Sequence, residues 1–196
     1  MKLTDYCSEL KQDVEPWILL TNLENEIRGQ FTQVGDEYII SGYIAVHTTA
    51  TVDPTATIKG PAIIGPSCFV GPHSLLRGGV YLHEGVSIGP SCEVKHSVIG
   101  SNSTLAHFNF VGDSVIGSHV NFEAGALTAN HYNEREDKRI SALIDGKPVQ
   151  TGVTKFGALI GDGTKVGANA VTSPGTILAK SSVVKRLELV EQIPEV

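Results

Sequence analysis

The chain has 196 residues, 41% hydrophobic, 18% charged and 6% aromatic, with 21 glycines and a formal net charge of −6. That length makes one domain the default, and the acidic balance excludes a general nucleic-acid binder. No window approaches the roughly 18 apolar residues of a membrane span, and no charged start followed by an apolar run marks a secretion signal, so neither a membrane partner nor export is expected.

In chain order, residues 1–45 stand apart from the rest. Asp13 to Arg28 reads as a helix, with Asp13 as N-cap, Pro16 and Trp17 in the first turn and Gly29 after the last. Trp17, Leu20, Leu23, Glu24 and Ile27 trace its partly apolar face, which is expected to cap the open end of the fold that follows. Residues 31–45 form the lead-in.

From Val46 an aliphatic residue recurs every six positions: Val46, Val52, Ile58, Ile64, Val70, Leu76, Leu82, Ile88 and Val94. A period this short suits one strand and one corner, three times per coil, which makes an all-β protein built as a parallel β-helix. Residues eighteen apart then stack roughly 4.8 Å apart. The beat continues with single deletions (Ile99 five after Val94, Ile116 five after Val111) and reaches Thr128. Residues 129–157 carry no hexads and are charged, so a long loop leaves the coil there. Asp145-Gly146 marks the tip of a hairpin pairing 140–144 with 149–153. The beat resumes at Ile160 and runs to Val183, giving a coil over 46–183. A short amphipathic tail, 184–196, ends at Pro194.

The three cysteines, Cys7, Cys68 and Cys92, show no metal spacing. Cys68 and Cys92 fall in a recurring small-residue slot with Ala62, Val80, Val115 and Ala126, where a free thiol acts as a small hydrophobe in a reducing cytoplasm. Asn109 shares that slot and must find partners there.

Lys59, Arg77 and Lys95 stand eighteen apart, each directly after an aliphatic leader, so one edge stacks three cations. Like charges on neighbouring strands repel, which points to a bound anion such as phosphate. The plainer alternative is an edge neutralised by Glu84 or Glu93. His107 sits at a corner between small neighbours one coil away, Pro90 and Ala124, with room for an imidazole general base; a surface histidine is the alternative. Asn121 and Asn130 flank the loop's exit.

The run from Leu76 to Asn130, with the loop's DGKPVQTG and the following KFGALIGDG, resembles the left-handed β-helix (hexapeptide-repeat) acyltransferases. It is similar to the acetyltransferase half of bifunctional sugar-1-phosphate nucleotidylyltransferases, and residues 15–27 look like the helix that connects the two halves of such proteins. The resemblance implies the left hand, a cytoplasmic homotrimer with its site between subunits, and acetyl-CoA as co-substrate for an amino-sugar 1-phosphate. It carries the catalytic base onto His107, with Asn130 beside it. Phosphate and sugar contacts fall on Arg77, Lys95, Phe110, Asn121 and Lys155, and acetyl-CoA contacts on Ala124 and Ala168. Phe110 stands where the family commonly has tyrosine, and Ala168 where it has serine. The nucleotidylyltransferase half is not expected. Two other classes remain: a non-catalytic trimeric binding or regulatory subunit, and a His₃ zinc hydrolase on the same coil. The second is disfavoured because no histidine stands five beyond His119.

Overall fold

The computed structural model describes residues 1–10 and 14–193. Short strands wind into a left-handed parallel β-helix of triangular section. The first face stacks seven strands, from Thr51–Val52 through Phe69–Val70, Ser87–Ile88, Thr104–Leu105, Asn121–Phe122 and Lys165–Val166 to Val183–Val184. The second and third faces form one sheet, because Leu75–Leu82 and Glu93–Ile99 each bend round the corner between them. Side chains alternate along a strand, so the hexad leaders point inward; at the end of the coil Val184, in register with Val166, takes the inward place and Val183 is exposed. Val70, Leu76, Leu82, Ile88, Val94, Leu105 and Phe122 are fully buried.

The single deletions fall at the corner joining the second and third faces. Gly78 and Gly79 separate Arg77 from Val80; one coil later only His96 separates Lys95 from Ser97, and then only Asp113 separates Gly112 from Ser114. His96 and Asp113 adopt φ of 48° and 47° to make that tighter turn. The shortening also corrects one expectation. Val115 does not occupy the inward small slot; Ser114 does, and Val115 points outward, paired with Val98 and Leu159. Inside, the Ser114 hydroxyl donates to the Gly112 carbonyl at 2.7 Å. Cys68 and Cys92 lie in the small slot as expected, both buried and free.

The helix, α1, spans Pro16–Gln30. Proline opens it, where a missing N–H costs nothing, and Glu15 flanks its start; the expected cap, Asp13, lies outside the described residues. It continues through Gly29. It does not cap the open end of the coil. Trp17, Leu19, Leu20, Leu23 and Ile27 instead pack along the third face, against Ile63, Val98, Val115, Phe156, Leu159 and Ile177. Those outward side chains are apolar, and water exclusion favours a cover there over one at the coil's end. Gly79 lets the helix approach: a Cβ there would sit 3.0 Å from Glu24 Cγ. At the open end, Tyr38–Ser41 pairs antiparallel with Ile44–His47 and covers the edge strand of this face.

The loop leaves after the strand Leu127–Thr128. Its hairpin pairs Ser141–Ile144 with Lys147–Gln150, a second strand that begins two residues earlier than expected, across Asp145-Gly146, whose positive φ values (49° and 74°) are those of the tight turn such a dipeptide favours. The expected tail is still coil: Leu189–Val190 pairs with Val171–Thr172. Pro194 lies outside the described residues.

Candidate active site

The residues singled out from sequence gather at two corners, at opposite ends of the second face. The cation ladder is in register: Lys59 pairs with Arg77, and Arg77 with Lys95, on adjacent strands. Its charge, however, is offset within the chain. Arg77 holds Glu93 through two contacts, Nε at 2.8 Å and Nη2 at 2.6 Å. Lys95 Nζ donates to Asp113 Oδ2 at 2.7 Å. The ladder therefore does not require a bound anion: of the two expected neutralisers, Glu84 and Glu93, it is Glu93 that serves Arg77, and Asp113, not foreseen, serves Lys95. Lys59 is exposed.

Asp113 is the hub of this corner. Its side chain is 5% exposed. Besides Lys95 it accepts from the Asn130 amide on Oδ2 and meets His96 Nδ1 at 2.8 Å through Oδ1. Burial alone would raise its pKa, but the bonds from His96, Lys95 and Asn130 outweigh burial and hold the carboxyl down at about 2. Phe110 folds over the same corner: a Cβ at Gly112 would fall 2.6 Å from the Phe110 ring and 2.9 Å from Asn130 Nδ2. Lys155, exposed at the end of the loop, shares a groove of about 520 Å³ with Trp17, Lys95, His96 and Asp113.

The second corner stacks His107, Ala124 and Ala168 in one column. Gly125 N–H donates to the His107 carbonyl at 2.8 Å, Asn169 N–H to Ala124 at 3.0 Å, and Leu187 N–H to Ala168 at 2.9 Å. His107 is exposed. Asn109, buried as expected, finds its partners here: its amide donates to the Glu123 and Ala126 carbonyls at 2.8 and 3.0 Å, pinning the turn that carries Ala124. The same bonding narrows where an oxyanion could be held. Gly125 N–H is committed to His107 and Ala126 N–H bonds Glu123, whereas Ala124 N–H has no partner among the described residues.

Asn121, exposed on the first face, lines a groove of about 500 Å³ with Glu123, Lys165, Lys185 and Arg186. Arg186 grips Glu123 at 2.6 and 2.7 Å, and the second Glu123 oxygen also takes Ala168 N–H at 2.9 Å. Those contacts, Arg186 first, lower the Glu123 pKa.

One chain thus brings Lys95, Phe110, Asn130 and Lys155 together, with Arg77 beside them, and separately His107, Ala124 and Ala168, with Asn121 nearby. It does not bring the cations beside the imidazole. The strand between the corners, Phe110–Gly112, spans roughly 10 Å. Sequence reading missed His96, Asp113, Glu123 and Arg186. The available signal for His96 and Asp113 was that each occupies a coil corner where the hexad loses a residue.

The family profile described as the GMPPB C-terminal domain matches residues 40–149, more than half of the chain. The chain belongs to that family. It is 37% identical over 164 residues to a bifunctional sugar-1-phosphate nucleotidylyltransferase/acetyltransferase of Sulfurisphaera tokodaii, a match covering 83% of this chain and 39% of the relative. It is 34% identical over 173 residues to the bifunctional protein GlmU of Methanococcus maripaludis, covering 86% and 41%. For GlmU of Methanococcus aeolicus the identity is 31% over 189 residues, covering 93% and 44%. The chain spans about two fifths of the length of these curated family relatives.

Proposed function

We propose that the protein is an acyltransferase that moves an acetyl group from acetyl-CoA to the amine of a phosphorylated amino sugar, and that it works as a homotrimer. The observation carrying this reading is the division of the candidate residues between the two ends of one face. That face presents an outward row of Leu75, Glu93, Phe110, Leu127, Val171 and Leu189 at successive strands, apolar except for Glu93. In a ring, each copy offers one patch to a different patch of the next. A three-fold ring would set the His107 corner of one copy against the Lys95 corner of its neighbour, making three composite sites.

In such a site Arg77, Lys95 and Lys155 engage the phosphate, and Phe110 and Asn130 line the sugar. Holding the phosphate fixes the amine near the thioester. The nitrogen attacks the thioester carbon, His107 takes the proton, and Ala124 N–H donates to the oxyanion. Collapse of the tetrahedral species expels the CoA thiolate, which takes up a proton. Lys165, Lys185 and Arg186 supply positive charge beside the acyl-donor column.

The test is an acceptor screen with acetyl-CoA, reading thiol release across amino sugars with and without a 1-phosphate, alongside the mass in solution. Release that requires both amine and phosphate supports the reading; no release with any acceptor rejects it. The paired state of Arg77 and Lys95 also suits a non-catalytic trimeric subunit, whose ladder needs no substrate. That reading predicts a trimer without turnover.

A further inference from the structure

We propose that Asp113 is a positioning residue that locks the Lys95 ammonium and the Asn130 amide to each other, so that they meet the phosphorylated sugar as one prearranged unit. The proposal rests on the phosphosugar reading above for what that unit binds, but not for the locking itself.

The geometry is specific. One carboxylate oxygen, Oδ2, serves both Lys95 Nζ and Asn130 Nδ2, which sets their nitrogens side by side around a single atom. The other oxygen is held by His96 Nδ1 at 2.8 Å, so the carboxylate cannot swing away from the pair. Lys95 and Asn130 come from different places. Lys95 lies one coil below, in the strand Glu93–Ile99, and Asn130 lies at the root of the extruded loop, one coil above. A lysine on a four-carbon stem and an asparagine at a loop root each lose rotamer freedom on binding a ligand unless something fixes them first. Asp113 does so from a backbone held at φ 47° in the shortened corner, with its side chain almost out of contact with water. An ammonium has three donors, and Asp113 uses one, so Lys95 can bind an anion without leaving its anchor. The groove shared by Lys95, His96, Asp113 and Lys155 lies at the same corner.

The test uses the full chain with two variants. Asp113→Gly removes the carboxylate at a φ that glycine adopts freely. Asp113→Asn keeps an acceptor but no charge. Lys95 is first labelled with limiting isotope-coded acetic anhydride and quantified by peptide mass spectrometry against Lys165. Freed from its anchor, Lys95 should label about fivefold faster in Asp113→Gly, with Asp113→Asn between that variant and the parent. Steady-state kinetics then follow: KM for the phosphorylated amino sugar should rise about tenfold in Asp113→Gly while KM for acetyl-CoA stays within about twofold. Unchanged Lys95 labelling overturns the proposal whatever the activity. Faster labelling with unchanged KM for the sugar phosphate overturns it as well, as does an equal rise in both KM values, which marks general loosening. If the parent turns over no amino sugar, the functional reading falls, and the labelling result alone decides whether Asp113 locks the pair. If Asp113→Gly does not fold, Asp113→Asn carries both readouts, with a KM rise of about threefold expected.

Discussion

The two corners at the ends of the second face are built in opposite ways. The Lys95 corner is closed by its own bonds: Arg77 and Lys95 each hold a carboxylate, and Asp113 collects three donors in a nearly buried position. The His107 corner is open. Its histidine is exposed, its column neighbours Ala124 and Ala168 are small, and the group it offers without a partner among the described residues is the Ala124 N–H. Groups that must hold a fixed charge gain from being prearranged, whereas a group that must exchange a proton has to stay accessible.

The contrast is tested most strongly at the open corner. Replacing His107 with alanine should lower kcat by roughly 10²–10⁴ if it is the base, with little change in thermal midpoint because its side chain is exposed. Unchanged turnover would remove the base assignment and leave the corner without its chemical role. At the closed corner, Gly112→Ala forces a methyl group into the Phe110 ring and the Asn130 amide. A loss of about 1–3 kcal/mol in urea unfolding is expected, the range for overpacking, together with a raised KM for the phosphosugar.

Acid should dissolve the difference between the corners. The Asp113 pKa lies below its unfolded value, so its charge stabilises the fold above about pH 4, and that contribution fades as pH falls toward 2. Asp113→Asn should therefore unfold more easily than the parent at pH 7, by no more than about 2 kcal/mol, and the gap should close between pH 4 and 2. A gap that stayed constant with pH would mean that packing rather than charge sets it. The smallest effect is expected at Arg77. Its replacement by alanine should chiefly raise KM for the phosphosugar, by about tenfold, because a half-exposed cation contributes binding more than stability. An unchanged KM would place the phosphate elsewhere.

Much of this architecture can be read from the hexads, because a leader every six residues states both the strand and the direction of its side chain. The ladder of Lys59, Arg77 and Lys95 followed from the same count, and its register holds. What the count could not convey was which side of the coil is covered. Ile63, Val98, Val115 and Leu159 sit beside the leaders and look like ordinary strand residues, yet they draw α1 onto the flank. Nor could it convey that a missing residue shortens one corner and drops Asp113 onto His96. The pairing of Arg77 with Glu93 was legible as an alternative, since a one-coil register brings them to neighbouring strands. The placement of His107 over Ala124 was legible too, but the roles of both rest on the resemblance and on the experiments above.

The three thiols bear directly on how those experiments can be run. Burial pushes Cys7 up to about 12 and Cys68 up to about 11, and raises Cys92 as well. At pH 8 the thiolate fraction is then about one in ten thousand for Cys7 and about one in a thousand for Cys68. A chromogenic disulfide reagent added to the intact protein should therefore give an almost flat background, and colour that develops with time would come from released coenzyme.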